Sequence, residues 1–378
     1  MIVRTVCGKE KRMLNEILMV LMAIGAVVGG IDRICGNRLG YGKKFEEGFS
    51  FLGPTALSMA GMICLAPVLA DMLGRVVIPF YRMTGVDPGM FGSLLAIDMG
   101  GYQLAGELAE DALTGAYAGI VVAAMFGCTV VFTIPMGMGI LDESDRGFFA
   151  KGIMLGLVTM PSGVVAGGLA AGLSFGTCLR QNLPVFSLSL LLLLGLWLIP
   201  EKMVRGFCRF AQGIRAVITA GLVLAAVEYL CGWNPIRGMA PLSEAMEVVS
   251  SIGIVMLGSL PVTEFLQRRL RSPFGKLGAR LGMKPTGMVG LLIGLVSVIP
   301  VFTMYPDMDE TGKIMNAAFL VSAASMLAAH LGFVVSAEPE LTGALILGKS
   351  VGGAAAVAVT LAVMRRNGKR ANPVQRDM

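Results

Sequence analysis

The sequence predicts an all-α polytopic membrane protein, and three features of its composition and pattern carry that prediction. Hydrophobic residues make up 55% of the 378 positions and charged residues only 15%, whereas a soluble globular protein carries about 25% charged residues. The apolar residues gather in runs long enough to cross a bilayer, which takes about 20 helical residues. The 51 glycines favour close packing of helices inside lipid. We therefore expect a single integral membrane transport domain over residues 1–378.

Eleven apolar segments are predicted to cross the membrane as helices. The first follows a basic stretch but ends without a small-residue cleavage site, so we interpret it as a retained helix rather than a signal peptide. Residues 71–87 are too short to cross alone and are predicted to lie at the interface. The predicted spans are 13–34, 49–70, 88–108, 114–140, 147–171, 183–199, 210–230, 246–265, 285–304, 314–335 and 341–364.

The distribution of basic residues predicts the orientation. After the second span, alternate connections contain fourteen Lys and Arg residues on one side and three on the other, and the positive-inside rule places the richer side in the cytoplasm. The basic N-terminus agrees, but the 35–48 connection and the basic tail 365–378 fall on the wrong side. The net charge of +6 therefore fits membrane loops rather than nucleic-acid binding. No cysteine or histidine spacing indicates a metal or cofactor site.

Short sequence matches predict an internal repeat. "DESDRGFFA" at 142–150 resembles "DETGKIMNA" at 309–317 with an offset of 167 residues. This offset pairs residues 45–199 with residues 200–364, five spans each, and leaves 13–34 as an extra helix. Because five is odd, the second half enters the membrane from the opposite side, which is the inverted repeat of many secondary transporters. Broken helices near the midplane are expected at 98–101, 133–135, 258–261 and 298–300.

A carboxylate inside the third span indicates a binding site. Asp98 costs about 3 kcal/mol at the bilayer centre on insertion scales, so it must face protein, water or a cation. Gly100 and Gly101 loosen the helix beside it, and freed carbonyls would join it in accepting a cation. The alternative is a structural ion pair with Lys349, which lies deep in the last span.

Three further polar residues are candidates for the same site. Tyr102 and Gln103 follow the glycine pair, and a tyrosine ring face attracts an ammonium by about 0.5–2 kcal/mol. His330 is the single histidine; it is expected to contact substrate, relay protons or bond a neighbouring carbonyl. Paired with Ser162 it would form the dyad of an intramembrane hydrolase, although Met160 replaces the glycine that a nucleophile elbow needs.

Short motifs follow one another in a specific order over nearly the whole chain. They are "IDRI" at 31–34, "FEEGF" at 45–49, "LAPVLA" at 65–70, "DMGG" at 98–101, "SDR" at 144–146, "IPEKM" with "GF" at 199–207, "HLGF" at 330–333 and "GK" with "GG" at 348–353. In these motifs the chain resembles the bacterial ethanolamine permease family. The resemblance implies an inner-membrane carrier for a small protonated amino alcohol, with the family's aspartate on Asp98 and its histidine on His330.

The chain departs from the family pattern in two places, and these departures leave the identity of the substrate open. Ala329 stands where the family has a second carboxylate, and Ser297 with Val298 stand where asparagines are common. We therefore expect Asp98 to take the ammonium, and groups near Ser297 and His330 to take the hydroxyl. Alternatives are a facilitator channel, an ion-coupled carrier of another small organic cation, and a membrane sensor. The oligomeric state is not predicted.

Overall fold

Every regular element that the structure describes is helical. The structure is a computed structural model and describes residues 2–95, 101–280 and 283–371. Its α-helices are α1 Ile2–Ile34, α2 Tyr41–Ser50, α3 Leu52–Thr84, α4 Gly101–Leu108, α5 Ala112–Tyr117, α6 Ile134–Ile140, α7 Glu143–Ala171, α8 Phe175–Gln181, α9 Leu183–Leu198, α10 Pro200–Cys231, α11 Leu242–Arg280, α12 Pro285–Gly294, α13 Val298–Thr303, α14 Glu310–Ala323, α15 Ala329–Ala337 and α16 Thr342–Ala371. Wider π-helical turns over Ala118–Gly127 and Thr129–Thr133 join α5 to α6, and 3₁₀ turns cover Pro88–Leu94, Tyr305–Asp307 and Pro339–Leu341.

Seven helices of the described ranges are long and apolar enough to cross a membrane, and an eighth crossing forms if α8 and α9, bent by 52°, count as one. Each of the eleven predicted segments contains helix, but 88–108, 285–304 and 314–335 are assembled from shorter pieces. Apolar length therefore identified the segments without identifying which of them cross.

Residues 71–84 continue α3 without a break, so the prediction of a separate interfacial segment at 71–87 is wrong. The helix passes Pro67 and Pro79 and ends where Gly85 adopts φ 67°. A left-handed glycine of this kind is a common helix C-cap because it has no Cβ to clash.

Residues 88–95 and 101–108 form the two arms of a hairpin that begins and ends at the same end of the bundle. Asp87 precedes it, and one Asp87 carboxylate oxygen accepts hydrogen bonds from the backbone N–H groups of Glu110 at 3.1 Å and Asp111 at 2.9 Å. Arg82 and Glu110, on either side of the hairpin, form an ion pair. A Cβ on Gly92 would lie 2.5 Å from the Ala105 nitrogen, so the two arms touch. We name residues 88–108 the first hairpin.

A second hairpin, residues 285–308, closes in the same way at the other end. The Lys284 N–H donates to the Asp309 carboxylate at 3.0 Å, and the Thr286 hydroxyl donates to the Asp307 carbonyl at 3.1 Å. The hairpin contains α12, a break at residues 295–297, and α13. Because both hairpins return to the end from which they start, neither of them crosses the bundle.

These two returns change which connections share an end. Arg268 donates to the Leu39 carbonyl at 2.8 Å and lies over the Tyr41 ring, so the 35–48 and 268–284 connections meet. The prediction that they lie on opposite sides is wrong. Helix α16 begins at the other end of the bundle, where Thr342 bonds Asn15. Its C-terminus therefore lies at the end where the 35–48 and 268–284 connections meet. We call it the basic end; Arg75, Arg82 and the first turns of α1 lie at the opposite end.

The predicted repeat register of 167 residues is also wrong. Lys313 and Asp145, one from each matched motif, form a mostly buried ion pair at 2.6 Å. Gly152 packs on Ala317 and Gly156 packs on Val321, so α7 and α14 run side by side in the same direction. Halves of an inverted repeat would run in opposite directions. Residues 258–261 also lie inside the continuous α11, and 133–135 lie where π-helical turns pass directly into α6.

Glycines hold α7 against α16 at the centre of the bundle. Gly163 of α7 would place a Cβ 2.7 Å from the Gly348 carbonyl oxygen, and Gly167 would place one 3.1 Å from the Ala344 carbonyl oxygen. The contacting residue numbers rise along α7 as they fall along α16, so the two helices are antiparallel. Small residues at such a contact permit the close backbone approach that stabilises helix pairs in lipid.

Candidate functional site

Two interrupted helices meet in the interior of the bundle. One break lies between α12 and α13 at residues 295–297, next to the interruption predicted at 298–300, and the other lies between α14 and α15 at residues 324–328. The Ser325 N–H donates to the Gly294 carbonyl at 2.9 Å, and the Leu327 N–H donates to the Leu295 carbonyl at 2.8 Å. Irregular backbone at membrane depth is tolerated where it is enclosed by protein or lines a cavity.

Lys349 is fully buried beside the second break. Its Nζ donates to the carbonyl oxygens of Ala124 at 2.8 Å, Ala324 at 2.9 Å and Ser322 at 3.1 Å. Ala124 lies in the π-helical turns, Ser322 near the end of α14 and Ala324 directly after it. Backbone carbonyls therefore contribute to the surroundings of this ammonium, which the sequence did not indicate.

His330 is fully buried in the first turn of α15, directly after the same break. Its backbone N–H donates to the Ser325 carbonyl at 3.3 Å. Ser325 itself has φ 54°, a left-handed conformation that is uncommon outside glycine. The histidine is therefore held next to the interrupted backbone.

Ser297 lies at the break of the second hairpin and lines a cavity of about 300 Å³. The cavity also contacts Thr263, Glu47 and Glu264, and it reaches the basic end through Lys44. Both carboxylates have cationic partners: Glu47 pairs with Lys44 at 2.7 Å and Glu264 with Arg268 at 2.6 Å. This cavity therefore offers a polar but charge-balanced route to the break.

Tyr102 lines a second cavity, of about 350 Å³, that reaches the opposite end of the bundle. Its hydroxyl donates to the Glu338 carboxylate at 2.8 Å, and its ring meets the edge of Phe333 with centroids 5.6 Å apart. Glu338 has no ion-pair partner within 4.0 Å in the part of the chain that the structure describes. The cavity therefore presents two carboxylates, Glu338 and Glu340, and the first of them is bonded to the Tyr102 hydroxyl.

The remaining predicted residues divide between these places. Gly101 is buried at the start of α4, and the Gln103 side-chain oxygen is buried without a hydrogen bond from any described residue. Asp98 and Gly100 lie outside the described residues. Tyr102 faces the opposite-end cavity and Ser297 faces the basic-end cavity, whereas His330 and Lys349 lie at the second break. The described residues of the predicted site therefore lie in three places, which are two cavities and a buried centre.

Sequence reasoning missed Glu338 and Thr263. Glu338 stands in "SAEPEL" between two apolar segments, where a carboxylate is expected simply to be solvated. Thr263 lies mid-helix and donates to the Ser259 carbonyl at 2.6 Å and the Leu327 carbonyl at 3.3 Å. Only the position of Glu338 before a proline hinted at a turn; its contact with Tyr102 spans 236 residues.

The hydrolase alternative finds no support in the geometry. Ser162 is exposed on α7, and its hydroxyl donates to the Thr159 carbonyl of its own helix at 2.6 Å. His330 is fully buried. An exposed serine and an enclosed histidine do not form the hydrogen-bonded pair that activates a nucleophile.

Comparison with known proteins gives one consistent family. Residues 14–363 match the family described as "Ethanolamine utilisation protein, EutH". The chain is 42% identical over 94% of its length to "Probable ethanolamine permease EutH" of Listeria monocytogenes, covering 96% of that protein. It is 38% identical over 96% of its length to the protein of the same name from Escherichia coli, covering 99% of it. A Bacillus subtilis relative named "Uncharacterized protein YxeR" is 39% identical over 91% of the chain and 93% of its own. No solved structure matches.

Proposed function

We propose that this chain, which belongs to the EutH family of ethanolamine utilisation proteins, imports ethanolamine across the bacterial inner membrane. It is a membrane permease rather than an enzyme, as its relatives are named. The observation that carries the proposal is the meeting of two interrupted helices at Lys349 and His330 inside an apolar bundle. Interrupted helices supply free backbone groups for a small polar substrate at membrane depth.

The inverted repeat is retained in this proposal with a different register. "GMFG" at 89–92 matches "GMVG" at 287–290, and "TG" at 114–115 matches "TG" at 311–312. This offset of 197 to 198 residues pairs the first hairpin with the second and α7 with α16. The antiparallel packing of α7 on α16 supports it, because counterparts in an inverted repeat run in opposite directions. The halves are then about 52–171 and 242–371, rather than 45–199 and 200–364.

Asp98 is the proposed carboxylate for the ammonium group. The register pairs it with Val296 at the break of the second hairpin. An ammonium that leaves water needs a compensating charge or several acceptors, because desolvation of an ion costs many kcal/mol. Asp98 supplies the charge, Gly100 and Gly101 loosen the backbone beside it, and His330 with Ser297 receives the hydroxyl.

The two cavities are the proposed routes to this centre. The opposite-end cavity contains Glu338 and the ring of Tyr102, which together attract an organic cation. The basic-end cavity contains Ser297 and Thr263 and continues toward the second hairpin. Transport then consists of opening one cavity to the centre while the other is closed, with the two halves moving against each other.

The proposed orientation places the basic end in the cytoplasm. The 35–48, 199–215 and 268–284 connections and the end of α16 all lie there, and they carry most of the basic residues. Cytoplasmic loops hold an excess of Lys and Arg. The basic first turns of α1 lie at the opposite end and are the exception.

The departures at Ala329 and at Ser297 with Val298 keep a second candidate open. A carrier with a reduced polar shell would accept other small primary amines, so propanolamines and choline are informative competitors. A facilitator channel differs from a carrier in showing no counterflow. A membrane sensor would bind ethanolamine without moving it across a liposome.

The direct test is uptake of labelled ethanolamine by purified protein in liposomes at pH 6. Asp98→Asn is expected to lower uptake at least tenfold, because the ammonium loses its counter-charge. Asp71→Asn, at an exposed aspartate paired with Arg75 on α3, is the matched control and should leave uptake unchanged. Normal uptake by Asp98→Asn would remove Asp98 from the site. No uptake by the wild-type protein under any condition would overturn the transport proposal itself.

A further inference from the structure

The contacts of Lys349 describe a cage for a primary ammonium group. Among the described residues, three carbonyl oxygens accept from its Nζ at 2.8, 2.9 and 3.1 Å, and a primary ammonium has three N–H donors. A neutral amine has only two N–H groups and would direct its lone pair at the third carbonyl. The cage therefore fits the protonated form, R–CH₂–NH₃⁺.

The carbonyls of the cage come from π-helical turns, from the last turn of α14 and from the break that follows it. Ala124 lies within π-helical turns, and Ser322 and Ala324 flank the end of α14, where residues 324–328 break the helix. The same break bonds to the second hairpin through Ser325 and Leu327. The break that forms part of the cage is therefore in direct contact with the second hairpin, whose Ser297 lines the basic-end cavity.

A protonated ethanolamine molecule ends in the same chemical group as the lysine side chain. Both present an ammonium on a methylene carbon, so the three carbonyls cannot distinguish one from the other. A quaternary amine such as choline has no N–H and cannot replace either. In addition, the buried Ser322 hydroxyl oxygen has no hydrogen-bond partner among the described residues and lies against Gly352, one turn after Lys349.

We propose that Lys349 is a tethered substitute for the substrate's ammonium group. It occupies the carbonyl cage while the carrier is empty, and the ammonium of bound ethanolamine displaces it, with the Ser322 hydroxyl as a further hydrogen-bond partner for the substrate hydroxyl beside His330 and Ser297. This inference rests on the proposed transport function. The proposal has a kinetic consequence. In the empty carrier the lysine donates hydrogen bonds to the three carbonyls of the cage, and this allows the empty form to change between opening to one end and opening to the other.

The test separates net uptake from exchange. In liposomes, Lys349→Met is expected to lower net uptake of labelled ethanolamine into empty vesicles at least tenfold, because the empty carrier no longer returns. Exchange into vesicles preloaded with unlabelled ethanolamine should stay within about threefold of wild type, because both directions then carry substrate. Lys151→Met, at an exposed lysine of α7, is the matched control and should change neither rate.

A structural role for the lysine gives a different pattern. Equal losses of net uptake and exchange in a folded Lys349→Met protein would overturn the proposal, and so would unchanged rates of both. If this variant does not reach the membrane, Lys349→Gln retains two N–H donors without the charge and should show the same split. Failure of both variants to fold would make Lys349 a structural requirement and also overturn it. Absent wild-type transport would instead contradict the proposed function.

Discussion

Lys349 and Asp98 are the charges that the sequence places deepest in the membrane, and each side chain needs a physical reason to be there. For Lys349 the structure supplies three carbonyl acceptors from two different segments. Hydrogen bonds to a charged group contribute about 1.5–3 kcal/mol each when they replace bonds to water. The arrangement therefore compensates burial without requiring that the whole cost be met by one carboxylate.

Glu338 is expected to govern how readily substrate enters from the opposite end. Glu338→Gln removes one of the two carboxylates of the cavity, the other being Glu340, and should raise the KM for ethanolamine three- to tenfold with little change in kcat. The physical reason is that a carboxylate at the mouth of a low-dielectric cavity raises the local concentration of cations. Initial rates of uptake at several ethanolamine concentrations, at low and high ionic strength, measure the effect.

Tyr102→Phe is the matched variant for this prediction. It removes the hydroxyl that donates to Glu338 but keeps both the carboxylate and the ring packed against Phe333. Its KM should change by less than about threefold. If Glu338→Gln and Tyr102→Phe change KM equally, the hydrogen bond rather than the charge matters, and the cavity loses its role in attracting the cation.

The polar residues of the site differ in how far the sequence revealed them. Lys349 and His330 stand out because an ionisable side chain is rare inside an apolar run. Their surroundings could not be predicted, because Ala124 contributes a backbone carbonyl and any residue would do the same. Glu338 was missed because its partner Tyr102 is 236 residues away, and no local pattern encodes such a contact.

At the level of elements, glycines decide whether the first hairpin can fold back on itself. A Cβ on Gly92 would meet the Ala105 nitrogen at 2.5 Å, whereas one on Gly106 would meet nothing within 4 Å. Gly92→Ala is therefore expected to destabilise the protein by about 1–3 kcal/mol through overpacking, and Gly106→Ala in the same hairpin should be neutral or slightly stabilising. Thermal unfolding in detergent measures both. Equal melting temperatures for the two variants would contradict the close contact of the arms.

The Lys313–Asp145 ion pair joins α14 to α7 at the basic end, and both side chains are mostly buried. Lys313→Met leaves the Asp145 carboxylate without its cation, which costs about 3–5 kcal/mol for a buried pair. The double variant Lys313→Met with Asp145→Asn should recover most of that loss, since no unpaired charge is left. Thermal unfolding of the wild type, the single variant and the double variant tests this; a double variant less stable than the single one would contradict it.

The interruptions of these elements were predictable only in part. The helix breaks at residues 295–297, between Gly294 and Val298, whereas the pattern indicated an interruption three residues later, at 298–300. Pro261 lies within continuous α11 instead, because neighbouring groups can satisfy the freed carbonyl inside a bundle. The return of 88–108 and 285–308 was not visible in hydropathy, which measures apolar length but not the place where a segment ends. The acidic residues Asp87 and Asp309, whose carboxylates accept backbone hydrogen bonds where the two hairpins close, mark the places where these segments end.

At the scale of the whole molecule, the two returning hairpins make a specific prediction about sidedness. In a protein whose seven native cysteines are replaced, Lys43→Cys and Lys284→Cys should react with a membrane-impermeant thiol reagent from the same side. Glu110→Cys should react from the opposite side, because 43 and 284 lie at the basic end and 110 does not. Labelling of right-side-out and inside-out vesicles measures this.

Eleven simple crossings predict a different labelling pattern for the same three cysteines. Positions 43 and 110 would then share a side and position 284 would lie opposite. That outcome would contradict the hairpins. The sequence favoured eleven crossings because each segment was apolar enough, and the repeat was misaligned because "DESDRGFFA" and "DETGKIMNA" share helix-start residues rather than a structural position. Capping residues recur wherever helices begin, so their similarity does not define a register.

Counterflow by the wild-type protein in liposomes is the most direct test of alternating access to a centre built from interrupted helices. Vesicles preloaded with unlabelled ethanolamine should take up labelled ethanolamine to a transient level above equilibrium, which then decays as the unlabelled pool leaves. A carrier produces this overshoot because each exit returns the site to the outside. Uptake that is unaffected by preloading and does not saturate with ethanolamine concentration would contradict alternating access.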